Sequence, residues 1–293
     1  MNFLATYTMK GRVQAMIVAS SLALLSLILP PASILSSAAV ALVTLRLGAF
    51  EGLSVLVCSS LAAALLGLII FGNYQFALVY AGIMWLPVWL ISIILREGRH
   101  LSLAVEIAVL LGILGIIGFY LYNPDPVAVW KAMLMQMVPA DAPVEIVQQK
   151  VDTLSHYMTG IIAAGSVFSL LFGLFLGRWW QANLYNPGGF RIEFLSLTAH
   201  LGLSIGSVIV IALAMLSSGT LSELSWNASI LLFVLYIIIG TAVLHTLFAD
   251  MKMARYIVPM FYVTLFVIPH VLLPVAFVGF TDTWLNLRKN KST

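Results

Sequence analysis

The sequence predicts an all-α fold: a polytopic transmembrane helix bundle of eight to nine membrane segments, one of them a short helix after the first span. Three observations carry this. Apolar residues make up 62% of the 293-residue chain, charged residues only 9%, and the mean hydropathy is +1.07, whereas a soluble domain carries roughly 25% charged residues. The charges fall between seven charge-free windows, at 13–45, 52–95, 107–124, 153–177, 194–222, 224–249 and 256–281, and a spanning helix needs about 20 apolar residues. None of these windows alternates as a membrane-barrel strand does, and a helix is the other element that satisfies its own backbone inside lipid.

The elements follow in order. A short basic tail carries Lys10 and Arg12. Followed by an apolar run, it has the look of a secretory signal, and with further spans behind it the reading is an uncleaved anchor. The first span covers 13–29 and sets Ala15, Ala19 and Ala23 four residues apart, on one helix face. A stripe of small side chains lets a second helix come close; packing inside the chain and docking of a partner subunit are both open. Pro30-Pro31 ends this helix, since proline lacks the amide donor. Residues 33–46 then form the short helix, about 21 Å long at 1.5 Å per residue. In the turn after it, Arg46 and Glu51 can pair.

Residues 52–95 run 44 positions without a charge, enough for two spans with a turn at 71–76. The fifth segment is 101–122, with Glu106 one turn inside it; an acid within a span is a functional candidate, although one this near an end can also reach the interface. Residues 123–155 form the one long polar loop, in which 127–138 and 144–156 read as amphipathic helices lying on the membrane. The sixth span, 158–176, has Gly160, Gly165, Gly173 and Gly177 for close packing. The polar strip 177–194 follows, then spans at 194–216, 227–249 and 256–280, the last interrupted by Pro269 and Pro274. With the N-terminus cytoplasmic, nine basic residues lie inside and five outside, three of the five in the C-terminal tail. The bias favours that orientation, and the tail argues that one segment does not fully cross.

The chemistry-bearing residues are sparse. The histidines 100, 156, 200, 245 and 270 are scattered, and Cys58 is the single cysteine. No nucleotide-binding or hydrolase motif is present. The chain reads as a non-enzyme without cofactor or metal site, and the lack of a Lys/Arg run argues against nucleic acid as a partner. Membrane lipid is the certain neighbour. Ligand-binding candidates are the amide and aromatic residues expected on the outer side: Asn73, Gln75, Tyr80, Tyr120, Asn123, His156 and Tyr157, with Trp226 and Asn227 beside them. Their low charge suits an uncharged or weakly polar, partly aromatic small molecule. In the central strip, Arg178, Trp179 and Trp180 are candidates for partner docking or for an interfacial aromatic anchor, and Arg178 can pair with Glu193.

The strip Gly177-Arg-Trp-Trp-Gln-Ala-Asn-Leu-Tyr-Asn-Pro-Gly-Gly-Phe190 and the ending Gly279-Phe-Thr-Asp282 with Arg288 resemble the YybS-like multi-pass bacterial membrane proteins, a family of unknown function. The first half is similar to the substrate-binding (S) components of energy-coupling-factor vitamin transporters, through Ala15-x-x-x-Ala19-x-x-x-Ala23, Pro30-Pro31, the short second helix and Leu47-Gly48. That resemblance implies an S-component-like membrane domain over 1–178, followed by 179–293 as a cytoplasmic turn plus C-terminal helices in one integrated membrane domain. It also implies capture of a small-molecule ligand, docking of Ala15, Ala19 and Ala23 on a transmembrane coupling subunit, and ATP hydrolysis by separate ATPases. The expectation is a transport-associated substrate-binding subunit of the inner (cytoplasmic) membrane. The alternative is a non-catalytic scaffold or assembly factor binding partners through 177–194.

Overall fold

The computed structural model describes residues 2–139 and 144–288, and no strand occurs among them. The helices are α1 (Asn2–Thr8), α2 (Arg12–Leu25), α3 (Ala32–Leu47), α4 (Ala49–Phe71), α5 (Gln75–Tyr80), α6 (Leu86–Gly98), α7 (Leu101–Tyr122), α8 (Pro126–Gln136), α9 (Val144–Ser155), α10 (Met158–Tyr185), α11 (Gly189–Leu195), α12 (Leu201–Leu216), α13 (Gly219–Ala249), α14 (Ala254–Val267) and α15 (Leu272–Leu285). A π-turn at Ala81–Trp85 joins α5 to α6 in one continuous rod.

Five of these rods are long and apolar enough to cross a membrane: Ala49–Ile70, Gln75–Gly98, Leu101–Tyr122, Met158–Tyr185 and Gly219–Ala249. A sixth would be the pair α14 and α15, bent by 111° at Pro269. Pro269 starts the break and Pro274 sits in the first turn of α15, where a missing N–H costs nothing. Three further helices, α2, α3 and α12, are apolar but shorter. Large apolar side chains such as Ile69, Leu121, Leu216 and Phe266 stand 78–91% exposed, as lipid-facing positions do where no water has to be avoided.

The chain divides into two compact units, Met1–Ala108 with Ser166–Leu197, and Val109–Gly165 with Thr198–Thr293. The boundary expected at residue 178 is not the one found. Both α7 and α10 run from one unit into the other, and the strip 177–194 belongs with the N-terminal helices.

In the first unit α2 packs on both α3 and α4, and α3 on α4 and α6. Here the alanine stripe meets a different fate from docking. Ala15, Ala19 and Ala23 are 1%, 0% and 0% exposed, covered by the chain's own helices. Ser36 on α3 donates its hydroxyl to the Ala19 carbonyl at 2.7 Å and accepts from Trp85 Nε1 at 3.0 Å, so one buried bond chain ties α2, α3 and the π-turn together. The small side chains bring α2 close enough for this, and are themselves covered. Two of the four glycines of α10 fit its close approach to α3: a methyl on Gly173 would come within 2.6 Å of Ser37 Cβ, and one on Gly177 within 2.7 Å of Ala41 Cβ. Gly165 has open space around it. The ion pair drawn for Glu51 also differs. Glu51 binds Arg12 through two bonds of 2.5 and 2.6 Å, while Arg46 lies 3.9 Å over the Tyr185 ring.

In the second unit α13 packs on α12, α14 and α15. Gly240 on α13 and Gly279 on α15 face one another so closely that a methyl on either would overlap the other helix's backbone, at the carbonyls of Val275 and Tyr236. Tyr236 fills the space beside this crossing, its hydroxyl 2.8 Å from Ser207 Oγ on α12 and its ring edge-on to Phe280. Asp282 closes the chain's end. Its carboxylate accepts from Arg288 at 2.7 Å and from the Leu287 amide at 3.0 Å, with the Asp282 side chain 1% exposed. Lys289 and Lys291 of the tail lie outside the described residues.

Two expected spans start elsewhere. The span drawn at 194–216 begins at Leu201, because α11 stops at Leu195 and His200 caps the next helix, accepting from the Gly202 amide at 3.1 Å. The span drawn at 227–249 begins eight residues earlier, at Gly219, and those two added turns carry Glu223.

Candidate functional site

The best-assembled polar cluster lies in the second unit, around the first three turns of α13. Glu223 and Asn227 sit four residues apart and so share a helix face. Asn227 is fully buried and uses both ends of its amide. Its Oδ1 accepts from the Gly160 amide at 2.5 Å, and its Nδ2 donates to the carbonyls of His156 at 2.7 Å and Glu223 at 2.8 Å, with the Tyr120 hydroxyl at 3.2 Å. Gly160 is the third residue of α10, one of the amides that a helix start leaves without an intrahelical partner. Asn227 therefore caps α10 from another helix. Gly160 has to be glycine for this, since a Cβ there would lie 2.7 Å from the Asn227 carbonyl oxygen.

Glu223 supplies the charge. Its Oε1 accepts from the Tyr120 hydroxyl at 2.6 Å, and its Oε2 lies 3.5 Å from His156 Nδ1. The carboxylate is 20% exposed and the imidazole 53%, so the pair opens toward solvent while its foundation is buried. Tyr157 meets Trp226 edge-on at 6.5 Å; the first follows His156 and the second precedes Asn227 in the chain. The two helices expected in the polar loop are present as α8 and α9, packed on one another and joined by Lys131 to Asp152 at 2.5 Å. Trp130 anchors α8 beside the cluster, donating Nε1 to Thr159 Oγ1 at 2.8 Å and lying against Phe119. Residues 140–143, between the two helices, lie outside the described residues.

A carboxylate has room for about four hydrogen bonds, and Glu223 accepts one. The cluster can accept a donor group from a ligand at Glu223, or exchange a proton with it through His156.

The sequence candidates separate accordingly. Tyr120, His156 and Tyr157 come together here. Asn123 only caps its own helix, donating to the Phe119 carbonyl at 3.1 Å. In the first unit, Asn73 and Gln75 build the turn after α4: Gly72 takes the left-handed conformation (φ 67°), and Asn73 Oδ1 accepts from the Gln75 amide at 2.7 Å. Tyr80 is 7% exposed and packs edge-on against Trp85, a core residue rather than a pocket wall. Among the docking candidates, Trp180 is 1% exposed in a core with Ala5, Ala38 and Leu42, and Trp179 packs against it. Arg178 is occupied by both carboxylate oxygens of Glu193 and by Gln181 Oε1. Trp180 is not presented to a partner, and Arg178 is held in place by these bonds. Glu106 is nine-tenths buried.

Sequence reasoning misses Glu223 because it falls in the one-residue gap between the apolar windows 194–222 and 224–249. The signal available was its spacing from Asn227, as the one acid between 194 and 249. No group of three or more histidine, cysteine or acidic residues able to hold a metal exists among the described residues. The chain matches no protein-family model, no curated protein and no solved structure.

Proposed function

We propose that this protein is an integral inner-membrane subunit that binds a small molecule and is associated with its transport, the role to which its resemblance to S components points. The orientation has the N-terminus cytoplasmic and the 123–155 loop outside. The short helices α2, α3 and α12 count as membrane segments with the longer rods, which brings the total to eight or nine.

One observation carries the reading: an ionisable acid, Glu223, near the end of a membrane-length helix, tied to Tyr120 and His156 over a buried asparagine yet 20% open. An acid carried on a membrane-length helix is a candidate for a ligand or ion pathway, and this one is held by partners from other segments while staying partly open. The carboxylate changes the ligand from the uncharged, partly aromatic molecule first expected. A solute offering an amine or hydroxyl donor fits Glu223, with Tyr157 and Trp226 alongside for its apolar part. A coupling subunit and ATPases, if they are partners, dock elsewhere than on Ala15, Ala19 and Ala23. The scaffold alternative keeps the exposed part of its strip, residues 185–188 with Arg191 and Ile192.

The test is a thermal-shift panel on the purified protein with primary amines, polyols and their neutral, donor-free isosteres. Donor-bearing solutes are expected to stabilise the wild type and not Glu223→Gln. Equal response of the two proteins would count against the proposal.

A further inference from the structure

A second site lies in the first unit and owes nothing to the reading above. The C-terminal ends of α3 and α6 meet the Arg178 turn of α10 around a cavity of about 220 Å³, lined by Leu45, Leu95, Arg96, Arg99, Arg178, Gln181 and Glu193. Three arginines line it with one glutamate, a local balance of +2. Glu97, 3.7 Å from Arg96 Nε and well exposed, is not part of the lining.

Two of the three arginines have structural work. Arg96 donates Nη1 to the Leu45 carbonyl at 2.9 Å, where a helix C-terminus attracts cations. Gln181 Nε2 bonds the same carbonyl at 3.1 Å and its Oε1 accepts from Arg178 Nη1 at 2.8 Å, while Arg178 also holds Glu193. This network neutralises Glu193 and fixes Arg96 and Arg178 at the cavity wall. It still leaves donors free, because each guanidinium has five N–H groups. Arg99 has no structural work of this kind. Its side chain makes no hydrogen bond or ion pair among the described residues, and its backbone takes the left-handed conformation at φ 54°, which an L side chain adopts only at a cost and glycine adopts freely. Helix capping therefore accounts for a residue at this position, and would be served better by glycine than by arginine.

We propose that this cavity binds a phosphate group, with Arg99 closing on it from one side and the spare donors of Arg96 and Arg178 on the other. Guanidinium is the side chain suited to forked contacts with phosphate oxygens. The cavity is smaller than the ~300–1,000 Å³ of clefts that enclose whole drug-sized ligands, so it takes the phosphate and leaves the rest of the molecule outside. The source is either the headgroup of an anionic phospholipid, since basic pockets between helix ends recruit such headgroups, or a free phosphate.

The experiment measures Tm of the purified full-length protein in nanodiscs of phosphatidylcholine alone, of phosphatidylcholine with phosphatidylglycerol, and of phosphatidylcholine with added inorganic phosphate. The same series is run on Arg99→Gly. Glycine relaxes the φ 54° backbone, so the variant's Tm in phosphatidylcholine alone is expected to equal or exceed that of the wild type. Its anion-dependent increment is expected to fall, with binding weakened about ten-fold by loss of one charge-assisted contact. A rise with phosphatidylglycerol alone identifies the lipid headgroup, and a rise with inorganic phosphate too identifies the phosphate itself. If neither anion raises Tm, or Arg99→Gly keeps the whole increment, the proposal is overturned.

Discussion

Replacing Asn227 by alanine is expected to destabilise the second unit by about 2–4 kcal/mol. The residue is 0% exposed and makes four polar contacts, to Gly160 N–H, the His156 and Glu223 carbonyls and the Tyr120 hydroxyl. The Gly160 amide has no other partner once Oδ1 is gone, and a buried unsatisfied N–H costs about 1–3 kcal/mol. Loss of a helix cap alone is worth roughly 0.5–2 kcal/mol, which describes the same bond from the helix side and is not added to it. The remaining donors are weaker contributors, since side-chain bonds inside membranes average about 0.6 kcal/mol each. Alanine also leaves a small cavity. Reversible unfolding in bicelles by denaturant or steric trapping measures the change, and Asn227→Asp, which keeps the acceptor for Gly160 but loses both donors, separates the cap from the rest. A loss under about 0.5 kcal/mol for Asn227→Ala would refute the capping argument.

The other expectations concern packing and charge. Gly240→Ala forces the α13–α15 crossing apart at Val275 O and is expected to cost about 1–3 kcal/mol as overpacking does. Gly118→Ala, with nothing within 4 Å of the new methyl, is expected to be neutral or to stabilise α7 by up to about 1 kcal/mol; thermal unfolding of the two side by side distinguishes them by sign. Asp282→Ala removes the carboxylate that accepts from Arg288 and from the Leu287 amide, at a site where the Asp282 side chain is 1% exposed, and is expected to cost about 3 kcal/mol. The double change Asp282→Leu with Arg288→Met is expected to recover most of that loss in the same assay.

What the sequence made legible was the solvent and the class of element. Runs without charge force helices, and that inference needs no tertiary information. The helix pair in the polar loop, the α4–α5 turn at Gly72-Asn73, and the Arg178–Glu193 pair were also readable, because each rests on local spacing or on a residue's own conformational preference. What failed were statements about which face meets what. Ala15, Ala19 and Ala23 form a close-packing stripe by spacing alone, and spacing is silent on whether the partner helix belongs to the same chain. Here it does, through Ser36. Tyr80 and Trp180 have polar tips that fit an interface and rings that fit a core, and burial decided for the core. Glu51 chose Arg12, thirty-nine residues away, over the nearer Arg46. The candidate site was half legible: Tyr120, His156 and Tyr157 were named for their chemistry, while Glu223 emerges only when three segments of chain converge on α13.

The central claim is that Glu223 and its partners hold a small molecule. Native mass spectrometry of the protein released from its own membrane, beside Glu223→Gln prepared identically, tests it most directly. A small-molecule adduct is expected on the wild type and absent from the variant while both remain folded. A wild type without any such adduct, or an adduct of the same mass and occupancy on both proteins, would contradict it.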